Sequence, residues 1–365
     1  MTRRVEDNLF PAHRADELMR RAIGLTEGTM PHPNPRVGAI VLTPNGEVIA
    51  ERAHMRAGSV HAEAAALVDA GPAAGGSTVV VTLEPCAHHG KTPPCATALI
   101  EAGVARVIVG TLDPDSRVSG KGIAVMQDAG IEVITGVEEA VVRANDPAYY
   151  HHRSTGRPYV TLKTALTLDG QAAAADHTSR WVTGPEARED GHWLRAESGA
   201  VIVGAGTVIS DNPRLDVRMD GYNGPQPRPV ILAGRRPIPA DAALLSRDPL
   251  VFTSGSDQPG LGDVEQVAAP GPDGIDLAAA LDYLGRDGVV SVLIEGGPTI
   301  GGAALRAGLV DRIVFHFGSK LGLGTGLPAI TGTFRTITDA QAVTIEQVAM
   351  VGSDIRVEAK IEREM

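Results

Sequence analysis

Two cysteines, a histidine and a glutamate are the most distinctive reactive side chains of this sequence. The chain has only two cysteines, Cys86 and Cys95, and they follow His61 and Glu63. Thiolates and imidazole bind zinc, and a catalytic zinc usually keeps three protein ligands and one open position for water. A nearby carboxylate that is not a ligand can carry protons to and from that water. The set therefore predicts a hydrolytic zinc site, with Glu63 as the acid/base beside three ligands.

The elements that must position these residues place three of them near helix N-termini. His61 and Glu63 open a helix predicted over 60–70, Cys95 opens another, and Cys86 lies just past a buried strand. The partial positive charge of a helix N-terminus favours thiolates. Each residue alone has an ordinary structural explanation. Together they match the histidine, acid and Pro-Cys pattern of hydrolytic zinc deaminases, with a structural four-ligand zinc as the alternative.

The spacing of the cysteines departs from that pattern. Eight residues separate Cys86 from Cys95, whereas the deaminase signature has two. The inserted segment carries His88, His89 and Lys91. It is interpreted either as a cationic clamp for the substrate or as a surface loop stiffened by prolines.

Composition and charge narrow the class of partner. The chain has 365 residues, 43% of them hydrophobic and 21% charged, which is typical of a globular protein of about two domains. A net charge of -11 and an aromatic content of 3% argue against nucleic acid and favour a small-molecule substrate. The sequence has no apolar run of signal-peptide or membrane-helix length. These features predict a cytoplasmic protein without a membrane partner, and they do not determine whether it forms a homo-oligomer.

Helical and strand patterns alternate through the first half. Predicted helices cover 14–26, 60–70, 94–102, 122–129 and 137–145, and predicted strands cover 37–42, 47–53, 78–83, 106–110 and 131–134. The Asn45-Gly46 turn between the first two strands is a strong hairpin signal. Alternation of this kind predicts a mostly parallel sheet with helices on both faces.

The periodicity stops between Tyr149 and Pro158, where polar and turn residues collect. We therefore predict one domain over residues 1–152 and a second α/β domain over 157–365. Strands of the second domain are predicted at 159–166, 200–203, 229–232, 250–253, 289–294 and 312–317. Thr183 and Glu186 have capping-box spacing, which predicts a helix that runs to about Glu197.

Two predicted strands of the second domain run into glycine-rich turns, at Gly204-Ala205-Gly206 and Gly296-Gly297. Bare backbone amides at such turns can bind phosphate. Neither turn has the Gly-x-Gly-x-x-Gly spacing of a dinucleotide site, so ordinary tight turns remain the alternative.

Several longer motifs resemble the bifunctional deaminase/reductase family of bacterial riboflavin biosynthesis. In the first half these are PHPNPRVG at 31–38, HAE at 61–63, TLEPCAHHGKTPPC at 82–95 and GKG at 120–122. In the second half they are LK at 162–163, LDG at 168–170, SRWVT at 179–183, DNP at 211–213 and EGGP at 295–298. The resemblance covers nearly the whole chain, and the long cysteine segment separates this family from cytidine and tRNA deaminases.

The resemblance implies a cytidine-deaminase-like three-layer α/β/α domain followed by a dihydrofolate-reductase-like α/β domain. It implies zinc-dependent deamination of 2,5-diamino-6-(5-phosphoribosylamino)pyrimidin-4(3H)-one to 5-amino-6-(5-phosphoribosylamino)uracil. NADPH would then reduce the ribosyl group to ribityl. Zn²⁺ and NADPH are thus the expected cofactors, and the substrate is a phosphoribosylaminopyrimidine.

The resemblance also implies a set of contact residues. Substrate contacts of the deaminase would be Asn34, His54, His88, Lys91 and Asp113, and those of the reductase Ser179, Arg195, Leu215, Arg218 and Glu295. Cofactor contacts would be Ala165, Trp181, Thr207, Asp211, Gly297, Pro298, Thr299, Ile300, Gly301, Gly302 and Ala303. Arg195, Arg214 and Arg218 suit a phosphate clamp because guanidinium binds phosphate bidentately, whereas solvated surface charge is the commoner role of arginine.

The chain departs from the family pattern at two places. Asp115 stands where the family usually has asparagine, so the role of this side chain in substrate binding is open. Ala233-Gly234 stands where the family often has Asp-Ser, so no cofactor contact is assigned there.

Three other hypotheses are weighed against this one. They are a nucleic-acid editing deaminase whose second half binds RNA, a non-catalytic module stabilised by zinc, and a deaminase with an inactive second domain. The acidity of the chain and its few aromatic residues count against the first.

Overall fold

A computed structural model describes residues 11–87, 93–115, 118–255, 258–272, 274–333 and 335–362. The chain divides into two compact units between Thr155 and Gly156. In the part of the chain that is described, no helix is both long enough and apolar enough to cross a membrane.

The first unit alternates helices and strands from its first described residues onward. Its helices are α1 (Ala12–Gly24), α2 (Ala62–Ala70), α3 (Cys95–Glu101), α4 (Lys121–Asp128), α5 (Glu139–Asn145) and α6 (Pro147–Thr155). Its strands are β1 (Gly38–Leu42), β2 (Val48–Ala53), β3 (Thr78–Leu83), β4 (Arg106–Thr111) and β5 (Glu132–Thr135).

These five strands form one sheet in the order β2-β1-β3-β4-β5. Strand β1 is antiparallel to both of its neighbours, whereas β3, β4 and β5 are parallel. Every residue of β1 and β3 is buried, as expected for strands covered on both faces. One face packs against α2 and α3 through residues such as Ala66 and Leu99, and the other against α1 through Met19. The three-layer α/β/α architecture expected from the sequence is confirmed.

The second unit is built around a larger sheet. Its strands are β6 (Tyr159–Thr167), β7 (Gln171–Ala173), β8 (Ala200–Gly204), β9 (Arg228–Gly234), β10 (Leu250–Thr253), β11 (Gln266–Ala268), β12 (Pro270–Gly271), β13 (Gly274–Ile275), β14 (Ser291–Ile294), β15 (Arg312–Gly318), β16 (Leu327–Pro328), β17 (Val343–Val351) and β18 (Asp354–Ile361). Its helices are α7 (Pro185–Ala196), α8 (Ala205–Asp211), α9 (Leu277–Arg286) and α10 (Pro298–Arg306).

Nine of these strands form a sheet in the order β11-β10-β9-β8-β14-β6-β15-β18-β17. The first seven strands of this order, from β11 at the edge to β15, run parallel. The hairpin β17–β18 pairs with β15 in antiparallel orientation and forms the other edge. Leu281 and Ala304 pack on one face of the sheet, and Leu194 and Val208 on the other. Because the parallel strands end at the same edge, the segments after β6, β8 and β14 meet there, as at the ligand crevice of open α/β sheets.

One expectation about local structure was wrong, although the helix that it predicted forms as Pro185–Ala196. The helix after Thr183 has Gly184 as its N-cap and no side-chain cap, so the capping box does not form. Instead, the Gly184 amide donates to the Asp354 carboxylate at 2.6 Å, and a residue distant in sequence replaces the local cap. The segment from Tyr149 to Pro158, where the sequence periodicity stops, is mostly helical because α6 extends to Thr155.

One close approach in the first unit makes a sharp stability test. A Cβ atom on Gly38 in β1 would lie 1.9 Å from the Ala22 carbonyl oxygen of α1, whereas a Cβ on Gly24 has nothing within 4 Å. We expect Gly38→Ala to lower the free energy of unfolding by about 1–3 kcal/mol, because the helix must move away from the sheet. Urea denaturation followed by circular dichroism measures this, with Gly24→Ala as the control near wild-type stability. Equal midpoints for Gly38→Ala and wild type would contradict the packing described.

Candidate active sites

The three predicted zinc ligands converge in the first unit. His61 is the N-cap of α2, Cys95 is the first residue of α3, and Cys86 follows β3 by three residues. Their ligand atoms all lie within 4.8 Å of one another, and His61 Nδ1 is 3.2 Å from Cys95 Sγ. Two thiols and one imidazole at this separation are the donor set and spacing that suit Zn²⁺.

Hydrogen bonds within the cluster favour a thiolate. The Cys95 backbone amide donates to Cys86 Sγ at 3.3 Å. The Cys95 thiol and the His61 imidazole also donate to this sulfur, and they lower the pKa of Cys86 to about 4. The same contact with Cys86, together with burial, raises the pKa of the Cys95 thiol. The cluster therefore holds one anionic sulfur before any cation binds, which is what a metal-ligating cysteine requires.

Glu63 lies beside this cluster, in the first turn of α2. Its side chain is buried, with 4% of the residue exposed. Burial raises the pKa of the Glu63 carboxyl, while its hydrogen bond with the Cys95 thiol acts in the opposite direction. A carboxyl group in this position can accept and release protons beside the cluster without competing as a ligand.

Asn34 and His54 line the same region. The His54 ring packs edge-on against His61, with ring centroids 5.3 Å apart. Its Nδ1 lies 3.1 Å from the Val60 carbonyl, and its Nε2 lies 3.1 Å from Asn34 Nδ2. Since burial lowers the pKa of His54, the neutral ring donates to Val60 and accepts from Asn34.

A buried glutamate that the sequence reading did not single out holds the other side of the site. Glu84, 4% exposed, accepts hydrogen bonds from the backbone amides of Asp113, Gly120 and Gly122 at 3.2, 2.9 and 3.0 Å. A Cβ on Gly122 would lie 1.9 Å from the Pro85 carbonyl, so the N-terminus of α4 can approach the cysteine segment only with glycine there. In the sequence, the position of Glu84 immediately after the buried strand β3 was the one signal that could have indicated this role.

Three other substrate contacts are predicted in the first unit, Asp113, His88 and Lys91, and the structure describes only Asp113. Asp113 lies on the loop that Glu84 holds, and its carboxylate accepts from the Asp115 amide at 2.9 Å. The role of the Asp115 side chain stays open. His88 and Lys91 lie outside the described residues.

In the second unit, Arg195 and Glu295 form a partly buried bidentate ion pair. Arg195 Nε and Nη2 donate to the two Glu295 oxygens at 2.6 and 2.7 Å. Although burial acts to raise it, Arg195 and then Lys163 hold the pKa of Glu295 at about 2. Lys163 is largely surrounded by protein, and burial lowers its pKa. The bidentate contact with Arg195 therefore keeps Glu295 anionic in the site.

A second acid organises the predicted phosphate contacts. Asp216 is 7% exposed and accepts from Arg214 Nε at 2.8 Å and from Arg218. Arg195 Nη1 donates to the Asp216 carbonyl at 3.1 Å, which joins this group to the Arg195–Glu295 pair. The side chain of Leu215 is buried and its φ is 55°, so a substrate contact at this residue falls to its backbone.

The predicted cofactor segments meet at the carboxyl ends of the parallel strands. Ala165 lies near the end of β6, and Gly297 caps α10 directly after β14. A Cβ on Gly297 would have only one atom within 4 Å, Thr207 Oγ1 of α8, so the space beside this backbone can hold a ligand. By contrast, a Cβ on Gly302 would lie 2.0 Å from the Thr331 carbonyl, so glycine there serves packing inside the protein. The helix N-terminus and bare backbone fit the phosphates of a dinucleotide.

A cleft of about 440 Å³ contains two further predicted contacts, Ser179 and Trp181. Arg180 Nη2 donates to the Asp211 carbonyl at 2.9 Å, which brings this loop against the end of α8. The Trp181 ring is 60% exposed, and the Arg188 guanidinium lies 4.4 Å from its centroid. An exposed indole held by a cation is suited to stacking against a flat ligand.

Comparisons with known proteins cover both units. The family described as "Cytidine and deoxycytidylate deaminase zinc-binding region" matches residues 12–111, and the family "RibD C-terminal domain" matches 158–354. The chain is 37% identical to the riboflavin biosynthesis protein RibD of Bacillus amyloliquefaciens, over 94% of each chain. It is 37% identical to RibD of Escherichia coli, over 89% of this chain and 92% of the relative.

Two solved structures have the same fold over almost the whole chain. Acinetobacter baumannii RibD superposes with a TM-score of 0.90 at 35% identity, covering 96% of this chain and 100% of that one. A diaminohydroxyphosphoribosylaminopyrimidine deaminase/5-amino-6-(5-phosphoribosylamino)uracil reductase from Thermotoga maritima gives 0.83 at 34% identity, with coverages of 96% and 99%.

The Arg195–Glu295 pair predicts a specific dependence of stability on pH. Because the folded-state pKa of Glu295 is about 2 and its ordinary value is 4.5, its contribution is complete above pH 4.5 and is lost as pH falls toward 2. We expect the stability advantage of wild type over Glu295→Gln to shrink by about 1 kcal/mol between roughly pH 5.5 and pH 3.5. Urea unfolding followed by tryptophan fluorescence measures it, since both tryptophans, Trp181 and Trp193, lie in the second unit.

The exposed Glu189 on α7 provides the control for this measurement. Glu189→Gln should leave the difference from wild type constant over the same pH range. A constant difference for Glu295→Gln as well would show that the Glu295 carboxylate is not held by its cations.

Proposed function

Because this chain belongs to the RibD family of riboflavin biosynthesis proteins, we propose that it catalyses two consecutive reactions on one phosphoribosylaminopyrimidine. The first converts 2,5-diamino-6-(5-phosphoribosylamino)pyrimidin-4(3H)-one to 5-amino-6-(5-phosphoribosylamino)uracil by hydrolytic deamination. The second reduces the ribosyl group of that product to ribityl with NADPH. The observation that carries the proposal is the convergence of His61, Cys86 and Cys95 beside the buried Glu63.

Deamination is assigned to residues 1–152 and reduction to residues 157–365. The division of the chain between Thr155 and Gly156 supports this assignment. So do the separate family matches, which end and begin on opposite sides of that division.

In the deaminase unit, Glu63 is the proton carrier. Zinc held by the two cysteines and His61 would supply an activated water when bound. The Glu63 carboxylate accepts one proton from the attacking water and delivers it to the pyrimidine ring nitrogen, where it stays in the uracil product. It then carries the remaining hydroxyl proton to the amino group, which leaves as ammonia as the carbonyl forms. Burial of Glu63 supports this role because it brings the pKa of the carboxyl closer to neutrality.

Asn34, His54 and Asp113 are assigned to substrate binding around this centre, with His88 and Lys91 as further predicted contacts. The Asn34 amide is held by His54, which in turn is fixed by Val60, so both reach the substrate as neutral hydrogen-bonding groups. The Asp113 carboxylate accepts hydrogen bonds, which suits the amino groups of a diaminopyrimidine.

In the reductase unit, the Arg195–Glu295 pair and the arginines around Asp216 are assigned to the substrate. Arg214 and Arg218 are both more than half exposed at the side chain, and they bind Asp216 through Nε and Nη1 respectively, so the other guanidinium nitrogens can donate to a phosphate. Ser179 and the Leu215 backbone complete the predicted substrate contacts. Lys163 is surrounded by protein and interacts by charge with Glu295, Arg195 and Asp190. We assign it to orient the ribose end of the substrate.

The cofactor is assigned to the carboxyl edge of the nine-stranded sheet. NADPH supplies the hydride when bound, and the protein supplies position and charge. Gly297 at the start of α10, with Thr207 across from it, would bind its phosphates, while Trp181 would stack on a ring. The rest of the segment 297–303 stays a predicted cofactor contact, except that Gly302 packs against Thr331. The cytoplasmic location stays a prediction of the sequence alone, and the sequence does not determine the oligomeric state.

Glu63→Gln tests the proton carrier directly. We expect the variant to keep its zinc and its reductase activity but to lose deamination by about 10²–10⁴-fold, because the amide cannot shuttle protons. Ammonia release and zinc content by elemental analysis are the two measurements. Glu101→Gln, which changes an exposed acid at the end of α3, is the control with wild-type activity. Deamination by Glu63→Gln at the wild-type rate would rule out this mechanism.

Cys86→Ser tests whether the two activities are independent. The variant should lose bound zinc and deamination, because one soft ligand is replaced by a poorer donor. It should still oxidise NADPH at the wild-type rate when the deaminated product is supplied, as followed by NADPH absorbance. Loss of both activities would show that the units are coupled, and no NADPH oxidation even by wild type would indicate an inactive second domain.

A further inference from the structure

Helix α6 contacts two separate loops of the deaminase unit. Three residues make these contacts, and we name them the α6 brace: Asp146 immediately before the helix, Tyr149 in its first turn and Arg153 in its last turn. They lie beyond residues 12–111, which match the deaminase family, and in or beside the segment where the sequence periodicity stops. Each of the two loops carries a predicted substrate contact.

Asp146 fixes the loop that bears Asn34. This acid is 4% exposed, and its Oδ1 lies 2.9 Å from His32 Nε2. Its Oδ2 accepts from the Arg36 backbone amide at 2.9 Å. Although burial acts to raise it, the contact with His32 lowers the pKa of Asp146, so this carboxylate is an anion. Residues on both sides of Asn34 are therefore bound to one buried charge.

Arg153 adds a further contact to the same loop. Its Nη2 donates to the Pro33 carbonyl at 3.4 Å, next to Asn34. Its guanidinium also lies 5.1 Å from the centroid of the Tyr149 ring. Arg153 therefore contacts both the Tyr149 ring and the loop of Asn34.

Tyr149 reaches the second loop. Its side chain is buried within the unit, and its hydroxyl donates to the Asp113 carboxylate, at 3.3 Å from Oδ2. The Tyr149 backbone amide donates to Asp146 Oδ1 at 3.3 Å, so the two parts of the brace are joined. Asp113 is also tied through its backbone to Glu84. Its carboxylate is therefore oriented by the tyrosine while its main chain is oriented from the opposite side.

We propose that the α6 brace positions the substrate-binding residues of the deaminase, with Tyr149 acting through Asp113 and Asp146 acting through the loop of Asn34. This inference rests on the proposed role of Asp113 in substrate binding. Tyr149 and Asp146 are positioning residues, because their described contacts are with protein groups. A correctly oriented Asp113 binds the diaminopyrimidine without first losing rotamer freedom, so the brace acts on affinity more than on the chemical step.

Tyr149→Phe removes the hydroxyl and keeps the ring between Arg153 and Tyr150. We expect KM for the diamino nucleotide to rise about tenfold, since a hydrogen bond to a charged group is lost. The value of kcat should change less than about twofold, because Glu63 and the zinc ligands are untouched. Zinc content and reduction of the supplied deaminated product should equal wild type, which excludes a general folding defect.

Tyr150→Phe is the matched control. It removes a hydroxyl from the neighbouring residue of the same helix, whose ring packs edge-on against Tyr149 at 5.8 Å. The Tyr149–Asp113 hydrogen bond remains in this variant, so its KM should stay within about twofold of wild type. An equal rise of KM in Tyr149→Phe and Tyr150→Phe would show a nonspecific effect of α6 and overturn the inference.

A double-mutant cycle separates failure of this inference from failure of the proposed function. If Tyr149 acts through Asp113, the double variant Tyr149→Phe/Asp113→Ala should have the same KM as Asp113→Ala alone. A wild-type KM for Asp113→Ala would contradict the proposed substrate contact, and the inference with it. A raised KM for Asp113→Ala with an additive effect of Tyr149→Phe, or with no effect of Tyr149→Phe, would contradict the inference alone.

Discussion

The deaminase site depends on the buried carboxylate of Glu84 and the three backbone amides that it binds. These hydrogen bonds join the end of β3 to the loop of Asp113 and to the start of α4. Because Cys86 follows two residues after Glu84, the same anchor sets where this ligand meets His61 and Cys95. A buried charge is stable only when its hydrogen-bonding capacity is satisfied, so the loop must adopt this path for the unit to fold.

The second unit uses a partly buried glutamate in a corresponding place. Glu295 directly follows β14, just as Glu84 directly follows β3. The partner of Glu295 is the Arg195 guanidinium rather than backbone amides. The pair therefore determines the charge of the site as well as the shape of the site. In both units a parallel strand ends in an acid that holds the surrounding loops. The carboxyl edge of each sheet thereby becomes a rigid platform for chemistry.

The sequence predicted those parts of the structure that have a local signal. The hairpin around Asn45-Gly46 and the buried strand 78–83 follow from turn chemistry and apolar runs, and the grouping of His61, Cys86 and Cys95 follows from residue type and order. Residues whose roles depend on distant partners were missed. Asp354 caps a helix 170 positions earlier, and Tyr149 binds Asp113 across 36 positions, so neither leaves a periodic trace. The hairpin β17–β18 was missed although β18 alternates polar and apolar residues along its whole length, so this strand had a local signal that the sequence analysis did not use.

The central claim is that two successive reactions on one substrate take place on this chain. Mass spectrometry of the purified protein incubated with the diamino nucleotide, with and without NADPH, tests it most directly. We expect release of ammonia and formation of the uracil product without NADPH, and the addition of two hydrogens to that product only when NADPH is present. Reduction of the substrate that still carries its amino group, or no ammonia release from it, would contradict the two-step function.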